Sequence, residues 1–333
     1  MEAVVGGCPN LLHQRSLKLA FCVAGIMVTL LVYGLMQERI MRLPYGDGKE
    51  YFEHSLFIVF CNRALTCMIT VILMLIQRKD IAPVAPLYKY SAVSLSNMLS
   101  TTCQYEALKY VSFPIQTLAK SAKMIPVMVW GMAIMQKKYR ACDYLLAVSI
   151  TAGCAVFLIY GEMDKITALS KNQSSLLGTL LMAGYLGFDG FTSTFQDKLF
   201  EGYNMDILNQ ILYVTVWSCA LSVIGLLSRG HMLPAISFVS RNADCLFHIS
   251  LLSLAATASQ FFISYTIRTF GALVFAIIMT TRQLISISLS CLWFGHPLNL
   301  MQWSGAILVF GSLYYKSFVG FKKKSSSAME PQV

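Results

Sequence analysis

The chain is predicted to be an all-α polytopic membrane protein, and three features of its sequence support that prediction. Apolar residues make up 56% of its 333 residues and charged residues only 13%, whereas an ordinary soluble domain is about 25% charged. The mean hydropathy is +0.61. Stretches of about 20 mostly apolar residues recur along the chain, and that is the length a helix needs to cross a bilayer. A soluble globular fold is therefore excluded.

A window of about 20 residues finds ten such stretches. They cover 17–36, 55–77, 87–108, 111–135, 142–160, 176–196, 207–227, 246–267, 271–294 and 298–318. The third stretch contains many Ser and Thr together with Asn97, Gln104 and Glu106, which is typical of a helix that lines a polar cavity. Pro126 is expected to kink the fourth helix.

The ten spans predict a single transporter-like domain made of two related halves. Residues 1–16 form a cytosolic N-terminal segment, 17–318 the ten-helix domain and 319–333 a cytosolic tail. Phe113 and Phe270 open matched helices in the halves 17–160 and 176–318, and Tyr144 corresponds to Trp303. Because each half has five spans, the two halves insert in opposite senses. The prediction is two inverted five-helix repeats with a ligand site near the bilayer midplane.

The distribution of Lys and Arg predicts the orientation in the membrane. With a cytosolic N-terminus, fourteen of the 26 Lys and Arg residues lie on the cytosolic side, eight on the opposite side and four within spans. Positive charge is enriched in cytosolic loops. Both termini are therefore predicted to be cytosolic. The Asn172 glycosylation sequon falls in a non-cytosolic loop under this topology.

Three cations lie deep within the predicted spans. Lys120 and Lys123 are three residues apart and so share a helical face, and Arg282 lies at a comparable depth in the matched ninth span. A buried cation is unfavourable unless it faces water or an anion. Together, ammonium and guanidinium groups suit phosphate oxygens. The cluster predicts a phosphate-containing ligand.

Other residues complete the predicted site. Glu106, Asp189 or Glu38 would neutralise the cations if these only tie helices together, and in that alternative no ligand is needed. Asp189 is predicted as either a salt-bridge partner or a site residue, and Glu38 as a gating partner of Lys120 in the empty state. Two aromatic residues, Tyr105 and Tyr265, could stack on a base. Gln283 joins Arg282 among the predicted substrate-binding residues.

Several other functions find little support in the residues. There is no CxxC pair, no Cys/His metal spacing and no HExxH motif, so no metal, cofactor or enzymatic chemistry is expected. The net charge of +10 is explained by cytosolic and intramembrane cations without nucleic acid. A membrane scaffold and a broad metabolite exporter stay open as alternatives, and self-association into a homo-oligomer is compatible with the sequence.

Longer motifs resemble a known family. The block 105–128, which contains both lysines, is similar to the signature of nucleotide-sugar transporters in solute carrier family 35, subfamily B. Supporting matches follow at 187–193, 196–197, 270–272, 280–283 and 295–298. Within that family, the chain most resembles the UDP-galactose/UDP-glucose transporters.

The resemblance implies a fold, an activity and a location. The fold is the ten-helix drug/metabolite-transporter fold, and the activity is exchange of a cytosolic UDP-sugar for lumenal UMP. Phosphate binding is implied for Lys120, Lys123 and Arg282. The implied location is the Golgi membrane, with the endoplasmic reticulum as the alternative. The same subfamily includes carriers of adenosine 3′-phosphate 5′-phosphosulfate and of ATP, so these substrates stay open.

Overall fold

A computed structural model of the chain describes residues 7–46, 50–52, 54–107, 110, 119–161, 176–293, 300–301, 303–312 and 315. Almost all of these residues are helical. The helices are α1 (Gly7–Arg42), α2 (Ser55–Ile76), α3 (Leu87–Ala107), α4 (Met124–Met135), α5 (Ala141–Gly161), α6 (Leu176–Tyr203), α7 (Ile207–Ser228), α8 (Met232–Arg241), α9 (Ala243–Phe270), α10 (Ala272–Trp293) and α11 (Trp303–Ser312).

The helices confirm a polytopic membrane protein. Within the described ranges, four segments are long and apolar enough to cross a bilayer: Ser16–Met41, Ser55–Ile76, Ile207–Ser228 and Ala243–Phe270. Shorter apolar helices occupy parts of the fourth, fifth, ninth and tenth predicted spans. The count of ten spans and the inverted repeat stay predictions. Residues 111–118 of the fourth span, the Asn172 sequon and the C-terminal tail lie outside the described residues, so the predictions made for them also stay open.

Two features of the helices go beyond the predicted spans. Helix α1 extends past 17–36 at both ends, because polar residues can continue a helix outside the apolar layer. The segment after α7, which belongs to none of the ten predicted spans, contains the short helix α8. Its buried residues Ala235, Phe238 and Val239 have the spacing of one helical face. The segment is too short for the window that finds membrane spans.

The chain divides into two compact units, and the first comprises Met1–Met98 and Phe195–Phe275. Helix α1 packs along α9, and α2 packs against both α7 and α9. Small polar side chains join α2 to α9: Ser253 donates to Asn62 Oδ1 at 2.8 Å, and the hydroxyls of Thr66 and Thr257 are 2.8 Å apart. Such bonds are typical of helix pairs in membranes.

The polar residues of α3 within this unit are used for packing. Tyr90 is fully buried and donates from its hydroxyl to Asn209 Oδ1 at 2.8 Å. Ser94 donates to the carbonyl of Val214 at 2.7 Å. Helix α3 contains too many polar residues to be found as a membrane span by hydropathy, yet it packs tightly because its hydroxyls bond to α7.

An aromatic core closes the end of the first unit where α1 ends and α2 begins. Phe52 and Phe238 pack edge to face at 5.4 Å, and Tyr45 contacts Phe238 at 6.3 Å between ring centroids. The Tyr45 hydroxyl lies 3.2 Å from His248 Nδ1. Burial raises the pKa of Tyr45 to about 12. This tyrosine therefore stays protonated at neutral pH.

A glycine turn and a side-chain cap separate α9 from α10. Gly271 has φ +87°, a conformation that residues with a side chain rarely adopt. The buried carboxylate of Asp197 accepts a hydrogen bond from the Ala272 N–H at 3.2 Å. This bond satisfies one of the N–H groups that have no partner within the helix at its start. The turn and the cap together fix the start of α10.

The second unit comprises Leu99–Thr194 and Ala276–Val333. Its helices approach closely where glycine replaces a larger side chain. A Cβ on Gly153 of α5 would lie 2.8 Å from the carbonyl oxygen of Gly305 in α11. A second small core forms around Ala107 and Met182, which are buried against Tyr185. Close backbone contact at small residues is how membrane helices gain packing energy.

Candidate functional site

Lys123 lies in the turn that leads into α4, and Lys120 lies in the helical residues 119–121 just before it. The Lys123 N–H donates to the carbonyl of Lys120 at 3.3 Å, and the Ile125 N–H donates to the carbonyl of Ala122 at 3.0 Å. These short-range bonds form a tight 3₁₀-like turn. Pro126 explains the break, because its ring clashes with the carbonyl four residues earlier, at Ala122. The break agrees with the kink that Pro126 was expected to cause in the fourth helix.

Lys123 forms an ion pair with Asp189 of α6. Lys123 Nζ and Asp189 Oδ2 are 2.6 Å apart, and the two side chains are 10% and 22% exposed. Breaking such a buried pair on one side leaves an uncompensated charge. Of the two alternatives for Asp189, the structure therefore supports the salt-bridge partner directly, in a position adjoining the predicted site.

Helix α6 is held against α4 at the height of this ion pair. A Cβ on Gly190 would lie 2.9 Å from Pro126 Cβ, so the glycine allows the close approach. Trp130 Nε1 donates to the carbonyl of Gly187 at 2.9 Å. Gly190 is therefore a packing residue between the two helices, whereas a Cβ on Gly187 would have no atom within 4 Å.

Lys120 and Arg282 come together around Tyr185. Lys120 Nζ lies 5.9 Å from the centroid of the Tyr185 ring, within cation–π range. Lys120 also interacts electrostatically with Arg282 and with Asp189, and Arg282 interacts with Tyr185. Within the second unit, Lys120 thus interacts with Arg282, and Asp189 connects Lys120 with Lys123. That the three cations bind one ligand stays a prediction.

Arg282 occupies the middle of α10. It lies ten residues after Ala272 in a helix of 22 residues, or about 15 Å along the axis at 1.5 Å per residue. That is half the thickness of a bilayer core of about 30 Å. Its Nε is buried and has no hydrogen-bond partner among the described residues. A guanidinium at this depth with an unused donor is prepared for an anionic acceptor.

We call Lys120, Lys123, Arg282, Asp189 and Tyr185 the cationic cluster. Its three cations exceed its one carboxylate by two charges. A low-dielectric environment strengthens attraction to an anion. Lysine ammoniums and a planar guanidinium offer point-charge and bidentate bonding to phosphate oxygens. The cluster can therefore bind a phosphate-containing anion.

The other predicted site residues fall in different places. Gln283 follows Arg282 and is half-buried, and Glu106 is half-buried near the end of α3 in the same unit. The side chain of Tyr105 is outside the described residues. Tyr265 and Glu38 belong to the first unit, where each lines a cavity. Their roles stay predictions.

Tyr185 was not among the residues predicted for the site. It lies four residues before Asp189, so both project from neighbouring positions on one face of α6. The Tyr185 carbonyl accepts a bond from Ser100 at 3.1 Å. The sequence offered one signal for including Tyr185 in the site, namely its position one helical turn before Asp189. The glycines at 184, 187 and 190 instead favoured the interpretation that this stretch only packs against another helix.

Comparison with known proteins assigns the chain to a family. The model of the UAA transporter family matches residues 18–320. The chain belongs to the UAA transporter family. Similar proteins include a UDP-galactose/UDP-glucose transporter 5 of Arabidopsis thaliana, 63% identical over 92% of this chain and 88% of its own length. An adenosine 3′-phospho 5′-phosphosulfate transporter 1 of Dictyostelium discoideum is 48% identical over 91% and 84%.

Membership of the UAA transporter family confirms the resemblance seen in the sequence. The family and these relatives are transporters and not enzymes. A chain of known crystal structure also superimposes on this member of the UAA transporter family with a TM-score of 0.64. The superposition covers 91% of the present chain and 97% of the chain in the crystal structure. At 9% identity that likeness concerns the fold alone.

Proposed function

We propose that the chain is an antiporter that carries UDP-galactose, UDP-glucose or both from the cytosol into the Golgi lumen in exchange for UMP. The observation that carries this proposal is the cationic cluster: two excess positive charges and a buried donor of Arg282 in the middle of a membrane helix. The substrates follow from the Arabidopsis relative, whose name specifies these two UDP-sugars.

In this proposal the cluster binds the phosphates of both exchanged ligands. Arg282 offers its guanidinium to two phosphate oxygens, and Lys120 neutralises a second charge beside Tyr185. Lys123 is held by Asp189 in the empty carrier and shares its charge with the bound phosphate. UDP-sugar and UMP both present phosphate, so one cluster serves both directions of exchange.

The remaining predicted residues have proposed roles that rest on the sequence. Gln283 would bond to a phosphate or ribose oxygen next to Arg282. Tyr105 and Tyr265 would stack on the uracil ring, and Glu38 and Glu106 would act as charge partners during gating. Exchange by alternating access between two inverted halves, 17–160 and 176–318, completes the proposal.

Obligate exchange follows from the charge of the cluster. Moving uncompensated cations between two conformations within a bilayer is unfavourable, and an anionic ligand removes that cost. A ligand shifts a conformational equilibrium only through its different affinity for the two states. The empty carrier is therefore expected to reorient much more slowly than the loaded one.

The proposed placement has both termini in the cytosol and ten spans within 17–318, with the segments 1–16 and 319–333 outside the membrane. The Golgi membrane is the proposed location, and the endoplasmic reticulum is the alternative. Self-association into a homo-oligomer is compatible with this arrangement.

The test is uptake of radiolabelled UDP-galactose into liposomes that contain purified protein and are either preloaded with UMP or left empty. We expect uptake that requires internal UMP and is suppressed by UDP-glucose. Lys120→Ala and Lys123→Ala should each abolish exchange in protein that still elutes as a folded species. Full exchange in either variant would contradict the role of the cluster.

A second candidate is carriage of adenosine 3′-phosphate 5′-phosphosulfate. It is favoured by the Dictyostelium relative at 48% identity. Its two phosphate groups would fit the same excess of cations. In the uptake assay, suppression by this nucleotide or by ATP, with no effect of UDP-glucose, would select the second candidate over the first.

A further inference from the structure

The first unit contains a cavity of about 530 Å³ that is lined by no residue of the cationic cluster. It lies where α1 enters its apolar segment, α2 ends, α7 begins and α9 approaches its end. The helix ends that meet here all belong to the same side of the unit. The cavity therefore sits at the depth where a membrane helix leaves the apolar core.

The outer rim of the cavity is positively charged. Lys79 Nζ and Arg268 Nη1 bond to opposite oxygens of Asp206 at 2.6 and 3.1 Å. Lys18 also lines the cavity and is exposed, and no described residue forms an ion pair with it. Gln77 adds an amide to the rim. The lining residues Lys18 and Lys79 against Asp206 leave a net charge of about +1. Arg268, which does not line the cavity, adds a further cation on Asp206, and this balance favours an anion.

The inner wall of the cavity is apolar and lies one helical turn deeper. Phe21 follows Lys18 by three residues, Leu73 precedes Gln77 by four, and Phe261 and Phe262 precede Tyr265 by four and three. These spacings place each apolar residue on the same face as its polar neighbour. The wall therefore lies about 5 Å below the rim, which is the rise of one helical turn.

Part of this wall is open at the surface of the chain. Phe21 is 66% exposed and packs edge to face on Phe262 at 5.5 Å. Gly25 leaves the space that the Phe262 ring occupies, because a Cβ at Gly25 would overlap that ring. An open apolar wall beneath a cationic rim is an amphipathic site.

We propose that this cavity binds an anionic phospholipid from the leaflet on the side where α1 begins. The phosphate contacts Lys18 and the rim beside Lys79, and the first part of an acyl chain lies against Phe21, Leu73 and Phe262. A basic pocket between membrane helices at the interface is the arrangement that binds acidic headgroups. The apolar wall beneath the rim suits an acyl chain, which a free nucleotide lacks, and so favours a lipid as the occupant.

The experiment is native mass spectrometry of the purified full chain in detergent, titrated with palmitoyl-oleoyl phosphatidylserine or with phosphatidylcholine of the same chains. We expect one tightly retained phosphatidylserine and markedly weaker retention of phosphatidylcholine. Lys18→Gln should weaken phosphatidylserine binding about five-fold, the effect of one interfacial cation, and Lys18→Arg should restore it. Arg229→Gln is the matched control, because Arg229 is an exposed cation at the opposite end of α7 from Asp206.

Three results would overturn the proposal. Equal retention of the two lipids would show that charge does not select the occupant. An equal loss in Lys18→Gln and Arg229→Gln would show a general surface effect. Displacement of the retained lipid by UDP-galactose or UMP, with Lys18→Gln weakening nucleotide binding, would assign the cavity to the transported ligand instead. None of these outcomes depends on whether the chain exchanges UDP-sugars, so failure here is distinct from failure of the proposed function.

Discussion

Individual side chains decide what the candidate site can bind. An ammonium or guanidinium at the centre of a bilayer costs about 3 kcal/mol on insertion scales. The cationic cluster contains three cations, of which Arg282 lies in the middle of α10. Asp189 compensates one of them directly, through the 2.6 Å pair with Lys123. Arg282 keeps a buried Nε with no hydrogen-bond partner in the described part of the chain. That excess of positive charge is what an anionic ligand would relieve.

The shape of the guanidinium is expected to matter as much as its charge. Arg282→Lys keeps the charge but loses the planar fork that bonds two phosphate oxygens, so exchange of UDP-galactose should fall about ten-fold. Arg282→Gln also loses the charge, so exchange of UDP-galactose by this variant should fall about 100-fold or more. Radiolabelled exchange in UMP-loaded liposomes measures both, with Arg229→Gln as a control at an exposed position. A fully active Arg282→Gln variant would remove Arg282 from the site.

Asp189 is expected to compete with the ligand for Lys123. Asp189→Asn removes the carboxylate that lies 2.6 Å from Lys123 Nζ, and the empty protein should lose about 3 kcal/mol of stability. Bound UMP should restore part of that loss, because its phosphate replaces the missing carboxylate. The measurement is the thermal unfolding temperature with and without UMP. If UMP shifts it equally in Asp189→Asn and in the unmodified protein, the carboxylate has a purely structural role.

Helix contacts hold these side chains in place. Helix α4 begins at Met124 because Pro126 prevents a regular turn at Ala122. This break places Lys123 at the N-cap of α4 and Lys120 in the helical residues just before the turn. Helix α6 then brings Asp189 and Tyr185 to them through the contact of Gly190 with Pro126. The site thus depends on one close approach between two helices.

The two glycines of this stretch offer a matched pair for testing that approach. A Cβ on Gly190 would meet Pro126 at 2.9 Å, whereas a Cβ on Gly187 has no atom within 4 Å. Gly190→Ala should therefore lower stability by about 1–3 kcal/mol through overpacking, together with exchange. Gly187→Ala should be neutral or stabilise by up to about 1 kcal/mol, since alanine favours helix. Thermal unfolding of the two variants checks this, and equal effects would place the contact elsewhere.

At the scale of the whole molecule, the chain consists of two compact units, each with its own buried core. The first unit joins its helices through small hydroxyls, an aromatic cluster and the ion network of Asp206. The second contains the cationic cluster. Substitutions in the ion network of Asp206 therefore affect stability without touching the cationic cluster, whereas substitutions in the second unit are expected to affect both stability and exchange.

The ion network of Asp206 predicts how stability changes with pH. Burial opposes ionisation, but the bonds from Lys79 and Arg268 outweigh it, so the pKa of Asp206 lies below its usual range. A carboxyl whose pKa is lowered by folding stabilises the folded state at pH values above its unfolded pKa of about 3.9. That stabilisation is lost as the pH falls through the pKa of the folded state. Asp206→Asn should cost about 1 kcal/mol at pH 7, and this difference should begin to shrink at about pH 4 and disappear once the pH lies below the lowered pKa of Asp206. Thermal unfolding at pH 7 and at about pH 2 tests it, and a difference that is unchanged at the lower pH would exclude the ionised carboxylate as its source.

The sequence by itself determined the class, the helices and the chemistry of the site. Apolar stretches of bilayer length identify membrane helices because no water is available there to bond the backbone. Cations inside those stretches are conspicuous because they are costly. Lys120, Lys123 and Arg282 could therefore be predicted from position alone, and the motif around them indicated the family that the comparisons confirm.

The tertiary structure alone decided which side chains meet. Asp189 and Glu106 were equal candidates as partners in the sequence, and only the contact of α6 with α4 pairs Asp189 with Lys123. Tyr185 joined the cluster for the same reason, while Tyr265 proved to line a cavity in the first unit. The short helix α8 was also missed, because its stability comes from packing against other segments and not from its own length. Local patterns report the environment that a residue needs, whereas the identity of its neighbours depends on contacts between distant parts of the chain.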